Sequence, residues 1–160
     1  MIKNLLRISL LTLALGAFTA QAAPPMPLPL AFGLTYNRAT KNHQNGWGMK
    51  LQVDLGPRFR LEPEMMYFAE HDDVSTLDLN LNLHWRIPLF SHFGVYPFAG
   101  VSYSHWGYNG PNASRWGCNL GCGAELFFAR RWSGFTETRL QIVSHETQPI
   151  FTFGLKYHIQ

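Results

Sequence analysis

From residue 30 to the C-terminus, apolar and polar residues alternate in short stretches that are separated by turn-forming residues. The last stretch, FTFGLKYHI at 151–159, places an apolar side chain at every second position. Because successive side chains of a β-strand point to opposite faces, such a stretch predicts a strand with one apolar and one polar face. The pattern predicts eight strands, at residues 30–37, 46–54, 58–69, 75–86, 95–105, 118–129, 135–143 and 150–159.

Two architectures suit such strands: a soluble sheet with an apolar core, or a transmembrane barrel with lipid outside and polar groups inside. The fourth predicted strand shows the alternation most clearly, with leucines at 77, 79, 81 and 83 opposite polar residues. Charged residues make up 14% of the chain, against about a quarter in a typical soluble domain. This scarcity of charge favours contact with lipid.

The connections between the predicted strands support the barrel. The longer ones are expected at 38–45, 70–74, 107–117 and 144–149, and the tighter ones at 55–57, 88–94 and 130–134. Longer loops at one end and short turns at the other are typical of outer-membrane barrels. Tyrosines and tryptophans fall near the strand ends, where membrane interfaces favour them: Tyr36, Trp47, Tyr67, Trp106 and Trp116 at one end, and Trp85, Trp132 and Tyr157 at the other.

Charged residues on the polar faces predict an interior polar network. Its members are Lys50, Asp54, Arg58, Arg60, Glu62, Glu64, Arg86, Glu137, Arg139 and Lys156. The predicted cross-strand pairs are Asp54 with Arg58, Gln52 with Arg60, Lys50 with Glu62, and Glu137 with Lys156. Opposite charges facing each other stabilise a sheet, and unpaired charges in a narrow interior are costly.

The N-terminus has the features of an export signal. Residues 1–22 combine early basic residues, a short apolar run and an Ala-x-Ala cleavage site, which together predict a cleaved signal peptide. Residues 23–29 form a proline-rich tail, and residues 30–160 are predicted to be the barrel. The sequence has no run of basic residues, so no nucleic-acid partner is predicted.

Candidate chemistry in the sequence is sparse. Three Ser-His pairs begin at 91, 104 and 144. Adjacent residues of a strand point to opposite faces, which excludes a dyad at 104–105, and the best remaining candidate is Ser144-His145-Glu146 in the last loop. His84 and His158 are predicted to point inward as partners in the polar interior. No catalytic residue, metal site or cofactor is predicted.

Cys118 and Cys122 leave two alternatives. In one extended strand their Cα atoms would lie about 13 Å apart, too far for a disulfide, and both would be small residues facing lipid. A bridge would require residues 117–121 to curl into the preceding loop, which the flanking glycines permit.

The C-terminal strand resembles the assembly signal of outer-membrane proteins: a polar residue, a glycine, an aromatic residue and a final apolar residue at fixed spacing. The matching residues are Thr152, Gly154, Tyr157 and Ile159. The stretches VYPFAGVSYSHW, NLGCGAELFFARRWSGF and RLQIVSHETQPIFTFGLKYHI also resemble small barrels of the OmpA/OmpX-like porin superfamily. This resemblance implies an eight-stranded barrel and recognition by the barrel-assembly machinery.

These observations predict an all-β protein, an eight-stranded antiparallel up-and-down transmembrane β-barrel of the bacterial outer membrane with periplasmic termini. The expected role is structural, adhesive or loop-mediated binding, without an open pore. The expected partners are outer-membrane lipid, lipopolysaccharide and the assembly machinery. Two alternatives remain: a lipid A-modifying hydrolase or acyltransferase, and a secreted lipocalin-like β-barrel carrier.

Overall fold

The structure is a computed structural model that describes residues 30–41, 43–71, 74–108, 113–143 and 146–159. The strands are β1 (Leu30–Ala39), β2 (Gln44–Asp54), β3 (Phe59–His71), β4 (Val74–Trp85), β5 (Ile87–Phe90), β6 (Phe93–Tyr108), β7 (Ala113–Ala129), β8 (Trp132–Val143) and β9 (Glu146–Ile159). The predicted signal peptide and proline-rich tail lie outside the described residues.

The strands close into an antiparallel barrel. Strands β1 to β4 pair in chain order, and so do strands β5 to β9. In addition β1 pairs with β9, and β4 pairs with β6. The short β5 resumes the course of β4 after Arg86 and pairs with the beginning of β6. Strands β4 and β5 therefore act as one interrupted strand of the barrel. Counted in this way the barrel has eight strands, which confirms the predicted fold class.

The connections differ from the prediction. At one end, here called the loop end, the strands are joined through residues 40–43, 72–73, 109–112 and 144–145. At the other, the turn end, the joins are 55–58, 91–92 and 130–131. The predicted contrast in length is wrong, because many residues assigned to loops continue the strands: Ala39 pairs with Gln44, and His105 with Ser114. A strand needs a partner backbone, and polar side chains do not prevent the pairing.

The two faces of the strands carry opposite chemistry, as the alternation predicts. On β4, Leu79, Leu81 and Leu83 are exposed on the outer surface, whereas Asn80 and Asn82 are buried inside. Most buried side chains are polar or charged, and most exposed ones on the outer surface are large and apolar. The barrel is therefore inverted relative to a soluble carrier, whose apolar face would be internal. The described residues contain no long apolar helix of the kind that crosses a membrane.

Two predicted registers are wrong by an even number of residues. Asp54 pairs with Arg60 rather than Arg58, since the turn occupies residues 55–58 and the Leu55 amide donates to the Phe59 carbonyl across it (2.9 Å). Glu137 pairs with Thr152 instead of Lys156. An even shift leaves every side chain on its predicted face, so the inside and outside assignments are unaffected.

The phase of the fifth predicted strand, which the sequence leaves open, is resolved in β6. Tyr96, Phe98, Ser102 and Ser104 are buried inside the barrel. Trp106 lies two residues after Ser104, so its side chain also points inward. Its assignment to the aromatic residues of the membrane interface, here called the aromatic belt, is therefore wrong. The belt itself is present at both ends, with Tyr36 against Trp47 (ring centroids 5.2 Å apart) at the loop end and Trp132 against Tyr157 (5.1 Å) at the turn end.

Candidate functional site

The barrel interior holds a continuous network of ion pairs, centred on Lys50. Its ammonium lies 2.7 Å from Glu62 Oε1 and 2.9 Å from Glu137 Oε2. The Tyr96 hydroxyl donates a hydrogen bond to Glu137 Oε1 (2.9 Å). These side chains come from β2, β3, β6 and β8 and are almost fully buried, so the contacts join opposite walls of the barrel.

The network continues towards both ends. On one side Lys156 Nζ lies 3.1 Å from Glu62 Oε2, so Glu62 is shared by two ammonium groups. On the other, Arg139 Nη2 lies 2.6 Å from Glu64 Oε2 and 3.3 Å from Glu137 Oε2. Arg139 belongs to β8 and Glu64 to β3, which lie on opposite sides of the barrel. The Arg139 side chain therefore crosses the lumen.

Near the turn end, a second group of charges surrounds Arg60. Its Nη1 lies 2.9 Å from Glu125 Oε2, and its Nε lies 3.4 Å from Asp54 Oδ1. Arg86, at the break between β4 and β5, reaches the other oxygen of Asp54 (2.8 Å). Asp54 is thus held by two guanidinium groups where the lumen approaches water.

Nine of the residues predicted to form the interior network are brought together here: Lys50, Asp54, Arg60, Glu62, Glu64, Arg86, Glu137, Arg139 and Lys156. The assignment of Arg58 is wrong, because it lies exposed in the turn before β3. Glu125 was missed as a member, although it shares the predicted polar face of its strand with Gly121 and Gly123. Because that face points inward, a carboxylate on it could have been recognised from the sequence as a member of the network.

Three aromatic rings occupy the interior opposite glycines. Tyr96 pairs with Gly123 and Phe98 with Gly121 across β6 and β7, and Phe135 pairs with Gly154 across β8 and β9. A Cβ added at Gly123 would lie 2.6 Å from the Tyr96 ring, and one at Gly121 would lie 2.6 Å from Phe98 Cζ. The missing side chains make room for the rings.

The same rings contact the buried cations. Lys156 Nζ lies 4.3 Å from the centroid of Phe135 and 5.5 Å from that of Tyr96. Lys50 Nζ lies 4.6 Å from the Phe135 centroid. A desolvated cation over an aromatic face gains about 2 kcal/mol. The rings thus solvate the lysines where water is scarce.

This packing predicts the effect of adding one methyl group at Gly154. Its Cβ would lie 2.5 Å from Phe135 Cζ and would also clash with the Leu34 carbonyl oxygen, so Gly154→Ala should destabilise the barrel by about 1–3 kcal/mol. Gly134→Ala is the matched control, because its nearest neighbour lies 3.7 Å away. Urea unfolding in detergent should show a lower midpoint for Gly154→Ala alone. Equal midpoints would contradict the ring-over-glycine packing.

At the loop end, the interior changes from polar to apolar. Ala39, Met66, Phe68 and Ile150 form a buried cluster, here called the apolar cap. Phe68 packs over Gly46, where an added Cβ would lie 2.8 Å from its ring. The cap was not predicted from the sequence, although the alternation in β3 turns Met66 and Phe68 inward. The cap lies between the ion-pair network and the loop end.

The residues that resemble an assembly signal all have defined positions in β9. Thr152 is buried and donates a hydrogen bond to Asn37 Oδ1 of β1 (2.7 Å). Gly154 accommodates the Phe135 ring, and Ile159 is exposed at the turn end beside Leu30. Tyr157 belongs to the aromatic belt there. Recognition of these residues by an assembly machinery stays a prediction.

One group of side chains could in principle hold a metal ion. Ligand atoms of Glu62, His84 and Glu137 lie within 4.8 Å of one another, and all three residues are buried. The Lys50 ammonium already bridges both carboxylates at 2.7 and 2.9 Å. The His84 ring stacks against the neighbouring rings of Tyr96 and Phe98, whose centroids lie 4.9 and 4.8 Å away. A metal ion would have to displace this ammonium, so the arrangement does not fit a metal centre.

A serine, a histidine and a glutamate meet inside the turn end. Ser133 Oγ donates to Glu125 Oε1 (2.6 Å) and lies 2.9 Å from His158 Nε2. In a hydrolase the carboxylate would orient the histidine, but here it accepts from the serine itself. All three side chains are buried in the lumen, away from lipid. The arrangement fits a structural role. Of the predicted Ser-His pairs, 144–145 lies outside the described residues.

Cys118 and Cys122 lie on β7 and are exposed on the outer surface with free thiols. They share the face of Leu120 and pair with Val101 and Pro97 of β6. The strand runs unbroken through residues 117–121, so the curled segment that a bridge would require is not formed. This arrangement matches the alternative in which both face lipid.

An apolar outer surface between two aromatic girdles, around a polar interior, defines an integral outer-membrane β-barrel protein. The sequence matches the model of the outer membrane protein beta-barrel domain over residues 8–158. The chain belongs to this family. No curated protein sequence matches it.

Solved structures share the architecture at low sequence identity. The N-terminal β-barrel domain of Pseudomonas aeruginosa OprF superposes with a TM-score of 0.68 and 12% identity, covering 84% of this chain and 100% of that one. Neisserial surface protein A (NspA) superposes with a TM-score of 0.65 and 10% identity, covering 81% of this chain and 96% of that one. Ail, the attachment invasion locus protein of Yersinia pestis, superposes with a TM-score of 0.60 and 10% identity, also covering 81% of this chain and 96% of that one. At these identities the likeness shows the fold alone.

Proposed function

We propose that this protein is a closed outer-membrane barrel with a structural, adhesive or loop-mediated binding role and no open pore. The observation that supports the proposal is the set of side chains that span the lumen. Arg139 and Lys50 cross it to carboxylates on other walls, and the apolar cap covers the network at the loop end. Eight strands enclose a space that side chains can fill completely.

The proposal places the function at the surfaces of the barrel. A strand of about 9–11 residues is sufficient to cross a bilayer, whereas β6 and β7 have 16 and 17 residues. These two strands therefore extend beyond the membrane. Arg115 and Trp116 are exposed near the loop-end limit of β7, and Lys41 and His43 are exposed between β1 and β2. Such residues are available to a partner.

The proposed orientation puts the N- and C-termini in the periplasm and the loop end outside the cell. The C-terminal strand, with its resemblance to an assembly signal, supports insertion by the barrel-assembly machinery. The outer surface supports contact with outer-membrane lipid and lipopolysaccharide. The name of Ail includes attachment and invasion. An adhesive role here is a proposal by analogy.

If the lumen is closed as proposed, the folded protein does not conduct ions. The purified protein, with folding checked by heat-modifiable gel migration, would be added to planar lipid bilayers under an applied voltage. We expect no stepwise conductance, because buried ion pairs and the apolar cap obstruct the path. A porin in the same bilayers controls for sensitivity. Reproducible unitary currents from the folded protein would contradict the proposal.

The proposal includes no catalysis. The serine–histidine–glutamate group at Ser133 lies inside the barrel, where a lipid substrate does not reach it. Mass spectrometry of lipid A from cells with and without the protein tests the alternative. We expect identical acylation patterns. Loss or gain of an acyl chain that depends on the protein would establish the lipid-modifying alternative instead.

A further inference from the structure

Strands β1 and β9 close the barrel, although they lie at opposite ends of the described chain. Strands that follow each other, such as β8 and β9, are joined by a short connection that limits the registers they can adopt. No turn joins β1 to β9, so their register depends on contacts between the two strands themselves. The observed register places Leu30 opposite Ile159 and Ala39 opposite Ile150.

The alternation of faces does not select this register. A slip of two residues moves β9 by about 7 Å along β1 and keeps every side chain on its own face. On the outer surface such a slip exchanges one large apolar side chain for another, because β9 exposes Phe151, Phe153 and Leu155 there. The contacts that distinguish one even register from the next therefore lie on the lumen side.

A chain of hydrogen bonds crosses the β1–β9 pairing inside the lumen. Thr152 lies opposite Asn37, and its hydroxyl donates to Asn37 Oδ1 (2.7 Å). Asn37 Nδ2 in turn donates to Thr35 Oγ1 (2.9 Å), and all three side chains are buried. A slip of two residues would place Asn37 opposite Gly154 or Ile150. The buried amide would then lose its partner on β9, which is costly.

The part of this chain that belongs to β1 is held by β2. A Cβ added at Gly48 of β2 would lie 2.5 Å from Thr35 Oγ1 and 3.1 Å from Asn37 Nδ2. The Thr35 and Asn37 side chains therefore pack closely over Gly48. The β1–β2 pair thus presents the Asn37 acceptor at a defined position to the incoming β9.

Side-chain size opposes the same slips. Lys156 lies opposite Gly33, where an added Cβ would lie 3.2 Å from Lys156 Cγ and 2.9 Å from Lys50 Cγ. The missing side chain makes room for both lysine stems. In this register Lys156 Nζ lies 3.1 Å from Glu62 Oε2. A slip of two residues would displace Lys156 by about 7 Å relative to this carboxylate.

We propose that the hydrogen bond between Asn37 and Thr152 determines the register in which β9 closes the barrel against β1. Both are positioning residues for closure, and the fit of Lys156 against Gly33 supports the same register. Thr152 is also one of the residues that resemble an assembly signal. The role in closure is separate from recognition by an assembly machinery, because it acts between two strands of the same chain.

Pairs of introduced cysteines on the outer surface report the register. Leu34 lies opposite Leu155, so a disulfide between Leu34→Cys and Leu155→Cys reports the observed register. Leu34→Cys with Phe153→Cys, and Leu34→Cys with Tyr157→Cys, report the two slips by two residues. Directly opposite residues lie about 5 Å apart and diagonal ones about 7–8 Å, which is beyond the range of a disulfide.

The full chain, carrying Cys118→Ala and Cys122→Ala, is refolded from urea into lipid vesicles without other proteins. Disulfides formed under mild oxidation are quantified in the folded, heat-modifiable gel band. We expect Thr152→Val to lower the ratio of observed-register to slipped disulfide by about fivefold or more, because the Asn37 amide loses its partner. The exchange of Asn37→Thr with Thr152→Asn should restore the ratio. Thr76→Val, a buried control on β4 away from this pairing, should leave it unchanged.

Thr152→Ser distinguishes the hydroxyl from the methyl group of the side chain. It keeps the donor, so it should keep both the yield of folded protein and the disulfide ratio of the unmodified chain. If Thr152→Val leaves too little folded protein for the ratio, its folding yield is compared with those of Thr152→Ser and the exchanged variant, which should recover. The proposal is overturned if Thr152→Val closes like the unmodified chain, if Thr152→Ser fails equally, or if the exchange restores nothing.

Discussion

Glu62→Ala is expected to destabilise the folded barrel by about 3–5 kcal/mol, because it leaves buried charges without their partner. Glu62 lies 2.7 Å from the Lys50 ammonium and 3.1 Å from that of Lys156. His84 Nε2 is also 3.4 Å away. Losing one carboxylate therefore affects three buried groups of the ion-pair network. Urea unfolding in detergent micelles measures the loss.

Two variants show whether charge or volume is responsible. Glu146→Ala removes a carboxylate that is 70% exposed and pairs with a half-exposed Lys41, so it should cost under about 1 kcal/mol. Glu62→Gln keeps the side-chain volume and removes the charge. It should resemble Glu62→Ala more than the unmodified protein. If Glu62→Ala and Glu146→Ala unfold at the same urea concentration, Glu62 does not hold the network together.

Leu81→Arg is expected to cost about 2–4 kcal/mol and to impair insertion into vesicles, because Leu81 lies near the middle of β4 on the outer surface. The neighbouring position gives the control. Asn80 is buried inside, where its Oδ1 accepts a hydrogen bond from Asn119 (2.8 Å). Asn80→Leu should disturb this polar contact and leave insertion intact. Insertion of both variants at equal yield would contradict the assignment of the two faces.

A soluble protein core would also reject an arginine, so labelling supplies the decisive comparison. The native thiols of Cys118 and Cys122 face outward on β7. In intact vesicles both should react with an apolar maleimide dissolved in the membrane and resist a charged, water-soluble one. Cysteines introduced at Leu79 and Leu83 should behave alike. Rapid labelling by the aqueous reagent would show that this surface faces water.

The sequence by itself determined which side chains point in and which point out. A strand has a period of two, so the alternation along 75–86 separates leucines from asparagines whatever the neighbouring strands do. The wrongly predicted registers at Asp54 and Glu137 leave the inward and outward assignments unchanged for the same reason, since both shifts are even. Scarce charge and aromatic strand ends then distinguish lipid from water outside.

The limits of the strands were less predictable, for a physical reason. Polar residues such as Gln44, Asn45 and Ser114 look like loop residues, yet each continues a ladder because a partner strand runs alongside it. Conversely, Arg58 has the charge of a network member and lies outside, because the turn is one residue longer than predicted. Local composition does not reveal where the neighbouring backbone ends.

Only the tertiary structure decided which charges meet. Lys50 bonds Glu137 from the far side of the barrel, and Arg139 reaches across the lumen to Glu64. These pairs arise when β1 joins β9 and closes the barrel, and this pairing is not visible in a hairpin pattern. The rings of Tyr96, Phe98 and Phe135 fill the space opposite glycines on neighbouring strands for the same reason. Alternation assigns each side chain to a face, and closure of the barrel determines its neighbours there.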